Sequence, residues 1–299
     1  MNSDRPLWLA LAPVVFLILW SAGYAVAKVG LQYSEPMTLL TLRFGFVVII
    51  MAIAFVIIRP PLPDKPVDWA HLAVVGFLIQ SVYFGLSYIA FRAGVAAGTV
   101  ALLMSLQPIL VALLAPTWTG EAIGWRRWVG LFLGLFGTAV VIVARSDIEP
   151  PSLFGFVAAF FALLGITSGS LWEKRFGLNH HPITANLIGF TMGLIGVVPA
   201  MLLLEDMQVT WTWEFTAALA YLVIGNSVIA VGLLLAMIRA GDVSSVSALF
   251  FLVPPLAALL AWFMLGEIMP PVAWLGMIIA AAGVYLATRN RKLASSSAG

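Results

Sequence analysis

Ten stretches of this chain, each close to twenty residues long, run almost without charge, and that spacing leaves few folds open. They cover roughly 7–27, 36–58, 69–91, 97–118, 124–144, 152–173, 183–204, 213–238, 244–265 and 271–288. About 20 apolar residues make a helix that spans the hydrocarbon core of a bilayer. Barrel strands would be about half as long and would alternate polar with apolar residues. Only those two structures satisfy every backbone group inside lipid, so the pattern predicts an all-α integral membrane protein with ten transmembrane helices. The first stretch exceeds the apolar core of a secretory signal and is read as a retained helix. Composition agrees, with 62% hydrophobic and 9% charged residues, against about 45–50% and 25% in soluble domains.

The charges indicate orientation. Arg5, Arg59, Lys65, Arg126, Arg127, Lys174, Arg175, Arg239, Arg289, Arg291 and Lys292 fall on one predicted side, and only Lys28, Arg92 and Arg145 on the other. Cytoplasmic loops carry the excess of Lys and Arg, which places both termini in the cytoplasm of a cell whose inner (plasma) membrane holds the chain. The net charge of +2 sits at helix ends and in the tail, so it gives no sign of a nucleic-acid partner; the expected partners are the lipid bilayer and a small-molecule substrate, with a monomer compatible with the sequence. Seven tryptophans (Trp8, Trp69, Trp125, Trp128, Trp211, Trp213 and Trp274) lie near span ends, as the interfacial aromatic belt requires. Trp20 is deep in its span.

A shift of 146 residues brings the halves of the chain into register. Gly23 meets Gly169, Lys28 meets Lys174, Pro36 meets Pro182, Pro108 meets Pro254, Gly120-Glu121 meets Gly266-Glu267, Trp128 meets Trp274 and Gly137 meets Gly283. Matches at Pro, Lys, Glu and Trp with one ungapped offset point to a duplication: a first five-helix repeat over 1–146, a second over 147–292, and a flexible tail over 293–299. Because five is odd, the second repeat enters the membrane inverted. Such 5+5 inverted repeats place a binding site near the midplane in secondary transporters.

These residues resemble a known family. Pro36 followed by Leu42-Arg43-Phe44, the paired stretches from Pro108 to Glu121 and from Pro254 to Glu267, and the pairs Trp128/Gly130 and Trp274/Gly276 are similar to the EamA-type branch of the drug/metabolite transporter superfamily, and within it to the YddG-type amino-acid exporters. The resemblance implies ten helices in two repeats and export of amino acids, aromatic ones included. Gly189 stands where the second repeat would need a counterpart of Arg43.

Polar groups inside a span are costly and mark cavities or helix contacts. Gln80-Ser81 and their shifted counterparts Asn226-Ser227 suit an ammonium and a carboxylate, because amides both donate and accept; interhelical bonding is the competing reading. Trp20 and Tyr24 share a helix face, and with Tyr83 they predict an aromatic-lined substrate pocket. Tyr88 is read as packing or interface anchoring. Pro108 and Pro254 predict kinks, with hinge action and the release of the Met104 and Phe250 carbonyls. Arg43 lies within snorkelling reach of the outer surface, as a carboxylate attractor or as a clamp on its helix. Lys28 with Glu267, and Lys174 with Glu121, are candidate gates for the two mouths; helix-end stabilisation competes for the two acids. Gly165-x-x-x-Gly169 and Gly130-x-x-x-Gly134 predict close helix packing.

His71, His180 and His181 at span ends form no metal or general-base set, and no phosphate-cradling GxxxxGK[ST] motif is present. No cofactor, metal or enzyme activity is therefore expected. Without a mid-span Asp or Glu, a cation-proton antiporter is disfavoured, and one buried Arg is thin for sugar phosphates. The reading that remains is a secondary transporter of neutral or zwitterionic solutes working by alternating access. The alternatives are a passive channel or an exporter of other metabolites or drugs.

Overall fold

The computed structural model describes residues 7–95, 100, 103–120, 123–145, 152–176, 180–241, 243–256, 259–260 and 270–288. Among the described residues, eight helices are long and apolar enough to cross a membrane. They are α1 (Leu7–Gly30), α2 (Pro36–Ile58), α3 (Pro66–Arg92), α5 (Trp125–Arg145), α6 (Leu153–Phe176), α7 (Pro182–Leu204), α8 (Trp213–Ala240) and α10 (Pro271–Thr288). Two shorter apolar helices, α4 (Gln107–Trp118) and α9 (Val243–Leu256), complete the described elements. The only extended pairing among the described residues is a single bridge between Ser34 and Val209. Eight of the ten predicted spans correspond to membrane-length helices, while the predicted spans 97–118 and 244–265 correspond to the two shorter ones and extend beyond the described residues.

Proline starts four of the long helices, α2, α3, α7 and α10, where its missing N–H costs nothing and its fixed φ suits a first turn. In α8, Thr212 accepts from the Phe215 N–H through its hydroxyl as an N-cap. At Pro108 and Pro254 the helical winding is interrupted on the N-terminal side of the proline. Helical residues 103–104 give way to a turn at 105–106, and α4 begins afresh at Gln107-Pro108. In α9 the segment Leu249–Leu252 tightens to a 3-10 turn before Pro254-Pro255. The Phe250 carbonyl accepts from the Val253 N–H. The Phe251 carbonyl, which Pro255 cannot serve, accepts from Thr138 Oγ1 at 2.8 Å. Both carbonyls are therefore taken within the protein rather than offered to a ligand.

The outer surface of the bundle is apolar, with Ile57, Phe132, Leu203 and Ile278 all well exposed, as expected where lipid is the solvent. Trp69, Trp125, Trp211, Trp213 and Trp274 are exposed, in keeping with the predicted interfacial belt. Close packing falls where the glycine spacing predicts it. A Cβ on Gly130 would lie 2.5 Å from the Ala287 nitrogen, and one on Gly283 would lie 2.3 Å from the Gly134 nitrogen, so α5 and α10 meet backbone to backbone. Gly165 and Gly169 likewise bring α6 against Leu78, Ile79 and Val82 of α3.

Two helices are wound as π-helix over part of their length, α3 at Phe77–Phe84 and α8 at Leu222–Val231. Shifted by 146 residues, the first falls inside the second. A π turn carries more residues than an α turn and so rotates the faces on either side of it, and such turns concentrate at functional sites.

The two ends of the bundle are fastened differently. At the end carrying Tyr33, the Glu205 carboxylate accepts from the Met37 and Thr38 N–H groups, both at 2.7 Å, and from Thr38 Oγ1 at 2.8 Å. A carboxylate there satisfies orphan donors of the α2 N-terminus and complements its dipole. The Asp206 N–H donates to Glu35, and the Thr210 N–H to the Tyr33 carbonyl. At the end carrying His71, Thr184 Oγ1 donates to the Pro61 carbonyl at 3.1 Å, Arg239 pairs with Glu173, and Lys174 donates to the Gly241 carbonyl.

Candidate functional site

Between α1, α2, α3 and α8 lies a cavity of about 20 Å³, lined by Trp20, Tyr24, Arg43, Tyr83, Phe84, Ser87, Tyr88, Phe91 and Asn226 among others. That volume holds about one water, far below the several hundred cubic ångströms of a typical ligand pocket. Rings fill the remaining space. Trp20 stacks on Tyr83 with centroids 6.1 Å apart, and Phe16, Phe84 and Phe250 surround it at 5.1–5.9 Å. Tyr24 and Tyr83 share a hydroxyl–hydroxyl bond of 3.1 Å.

Arg43 organises the polar side of this cavity. It is wholly buried rather than snorkelling, because neighbours meet its head group inside the bundle. Its Nε donates to Ser227 Oγ at 2.7 Å, Nη1 to the Tyr88 hydroxyl at 3.0 Å, and Nη2 to Asn226 Oδ1 at 2.6 Å. The guanidinium lies 4.2 Å from the centroid of the Phe84 ring, in cation–π range. All these partners are neutral. Asn226 in turn donates from Nδ2 to the Leu19 carbonyl at 3.3 Å. This approach needs Gly23, since a Cβ there would sit 2.4 Å from that Nδ2.

Of the residues predicted to bind substrate, the structure brings Trp20, Tyr24, Tyr83 and Asn226 to one cavity and places Ser227 behind Arg43. Gln80 and Ser81 are not there. Ser81 donates to the Met192 and Gly193 carbonyls, both at 3.3 Å, which is the interhelical reading. Gln80 lines a separate cavity toward the His71 end, of about 10 Å³, with Leu72, Glu173, Asn186, Gly189 and Arg239. Tyr88 is packed inside, in line with the packing part of its expectation, but it is bonded to Arg43 rather than anchored at an interface. It follows the π segment of α3, in the α-wound stretch Gly85–Arg92. Ser87 was missed; its Oγ is buried without a hydrogen-bond partner and its side chain lines the cavity. Glu173 was missed as well, and it is a second charge buried within a span. Its one sequence signal is an acid ahead of Lys174-Arg175 at a helix end otherwise reserved for basic residues.

Of the charged gate candidates, the structure describes Lys28 and Lys174. Lys28 is half-buried with its Nζ 5.7 Å from the centroid of the Phe91 ring, and Lys174 is held by a backbone carbonyl. Glu121 and Glu267 lie outside the described residues, as does the 293–299 tail. No cluster of metal-ligating side chains occurs among the described residues.

A bundle of membrane-length helices with an apolar exterior and a buried polar and aromatic chamber is a multi-pass membrane protein of the transporter class. The chain belongs to the EamA-like transporter family, whose model matches residues 7–143 and again residues 150–289. It is similar to an "uncharacterized transporter" of Archaeoglobus fulgidus, 29% identical over 97% of this chain and 99% of that one. It is 24% identical to a "probable amino-acid metabolite efflux pump" of Escherichia coli, over 91% of this chain and 92% of the relative. A "probable terminal-alkyne amino-acid exporter" of Streptantibioticus cattleyicolor is 27% identical over 97% and 95% respectively. A solved crystal structure superposes with a TM-score of 0.79 at 20% identity, covering 95% of this chain and 97% of that one, which shows the shared fold.

Proposed function

We propose that the chain is a secondary exporter of amino acids and similar zwitterions, aromatic ones included, working by alternating access between two inverted five-helix repeats, 1–146 and 147–292. The observation that carries this reading is Arg43, a buried cation whose partners among the described residues are all neutral, at the wall of an aromatic chamber. A buried charge needs a counter-charge, and the carboxylate of the cargo supplies one. Ser87 Oγ offers a further donor, Asn226 and the tyrosine hydroxyls offer acceptors to an ammonium, and the rings suit an apolar or aromatic side chain. The chamber is too small for cargo in this form, so binding requires the α1 and α3 walls to part. The double match of the family model and the paired π segments support the duplication, and the names of two relatives support amino acids as cargo and export as direction.

The test is counterflow of labelled phenylalanine into proteoliposomes, with and without an imposed pH gradient. Saturable uptake stimulated by unlabelled phenylalanine inside is expected. Non-saturating conductance would replace the carrier by a passive channel. Accessibility tags at Met1 and near Asp147 are expected on opposite faces of the membrane, with Met1 cytoplasmic; finding both on one face refutes the inverted repeats.

A further inference from the structure

The cavity toward the His71 end is the positional counterpart of the aromatic chamber, since Gln80 stands 146 residues from Asn226, and Gly189 the same distance from Arg43. Its chemistry is different. Arg239 donates from Nε to Glu173 Oε1 and from Nη1 to the His180 carbonyl at 3.0 Å. An arginine and a carboxylate commonly engage through two parallel bonds. Here only one forms: among the described residues, Arg239 Nη2 and Glu173 Oε2 are both buried without a hydrogen-bond partner, and so is Gln80 Oε1. All three side chains line the same cavity. A native interior rarely leaves such groups unsatisfied unless they are used, and here a cationic donor, an anionic acceptor and an amide acceptor stand open together.

That set complements the head of an α-amino acid. We infer that Glu173, Arg239 and Gln80 form a second subsite on the transport path, where the substrate carboxylate takes Arg239 and its ammonium takes Glu173 and Gln80, loosening the α6–α8 clasp as it arrives. The inference rests on the amino-acid reading above. The exchange conserves charge, because one ion pair becomes two. An amine without a carboxylate, or an acid without an ammonium, leaves one buried charge uncompensated. The subsite therefore selects zwitterions and ties opening of the His71 end to their presence.

The test is competition against labelled phenylalanine in counterflow by phenylethylamine and by 3-phenylpropionate. The wild-type protein is expected to prefer phenylalanine over both. Glu173→Gln should weaken phenylalanine about tenfold and improve competition by 3-phenylpropionate, because Arg239 remains; Arg239→Gln should do the reverse and favour phenylethylamine. The charge-exchanged double variant Glu173→Arg/Arg239→Glu guards against loss of fold and should recover the zwitterion preference. The inference is overturned if the single variants depress all three compounds in parallel, or if Glu173→Gln/Arg239→Gln keeps the wild-type preference, since the pair would then be a clasp alone. Should the wild type move no amino acid, the functional proposal falls. The subsite is then judged by unfolding in detergent with the same three compounds, where no phenylalanine-specific stabilisation removes it.

Discussion

The two cavities occupy corresponding places along the two halves of the chain, and each abuts a π-wound stretch of a long helix. Around the first stand Trp20, Tyr24, Tyr83, Phe84 and Phe91; the positions 146 residues on are Ile166, Ser170, Ile229, Ala230 and Met237. Arg43 fills one side of the first, whereas Gly189 leaves α7 so thin there that Gly76 of α3 touches it. The π winding recurs at the 146-residue offset while the side chains around it differ. One cavity has rings around a buried cation and the other a half-made ion pair. Similar backbone geometry thus carries two different chemistries.

The largest expected effect that would break this comparison is at Arg43. Arg43→Gln removes three charge-assisted bonds from the chamber and should cut phenylalanine counterflow roughly 100-fold, about 2.7 kcal/mol. Arg43→Lys should not restore it, because a single ammonium cannot span Ser227, Tyr88 and Asn226 as a planar fork does. Full activity of the lysine variant would show that charge alone matters.

Next is the glycine contact between α3 and α7. A Cβ on Gly76 would lie 2.4 Å from the Gly189 Cα, whereas one on Gly189 would lie 3.5 Å from the Gly76 Cα. Gly76→Ala is expected to destabilise by about 2 kcal/mol through backbone overlap, and Gly189→Ala to be neutral or to stabilise by up to about 1 kcal/mol through helix propensity. Thermal unfolding in detergent compares the two, and equal losses would contradict the asymmetry. A smaller effect is expected at the amides and hydroxyls. Asn226→Ala should weaken apparent phenylalanine affinity about tenfold, or about 1.4 kcal/mol, by stripping a partner from Arg43. Ser81→Ala should change it by less than about threefold, given bonds worth roughly 0.6 kcal/mol. The reverse order would return the site to the α3 amide–hydroxyl pair. Smallest among the chamber residues, Tyr24→Phe loses one shared hydroxyl bond and should cost about fivefold, near 1 kcal/mol.

Much of this architecture was readable from residues, because lipid forces a sequence to declare its helices. Apolar runs, prolines at helix starts and Gly-x-x-x-Gly spacing each have one dominant physical meaning. The chamber was readable where a residue was out of place in a span, as with Trp20, Tyr24, Arg43 and Asn226. It was not readable where partnership depended on rotation about a helix axis. Ser87 and Tyr88 follow the π-wound stretch of α3 and line the chamber, Gln80 within it lines the other cavity, and nothing in Phe77–Phe84 signals a π turn in advance. The symmetry that pairs Gln80-Ser81 with Asn226-Ser227 sets Gln80 at the second cavity rather than the first, and Ser81 against α7. Glu173 was hidden by its neighbours: an acid beside Lys174-Arg175 reads as part of a solvated helix end until α8 brings Arg239 against it.

The glycine seam of α5 and α10 sets the terms for motion elsewhere. Two rods whose main chains touch have no compliant layer between them, so relative sliding would drive amide nitrogen into carbon at Gly130 and Gly283. They stand as a single mast in lipid, and under the proposed alternating access rocking would fall to the irregularly wound members, the π stretches of α3 and α8 and the proline-interrupted α4 and α9. The regular post and the irregular members would then divide the work, one holding still while the others turn.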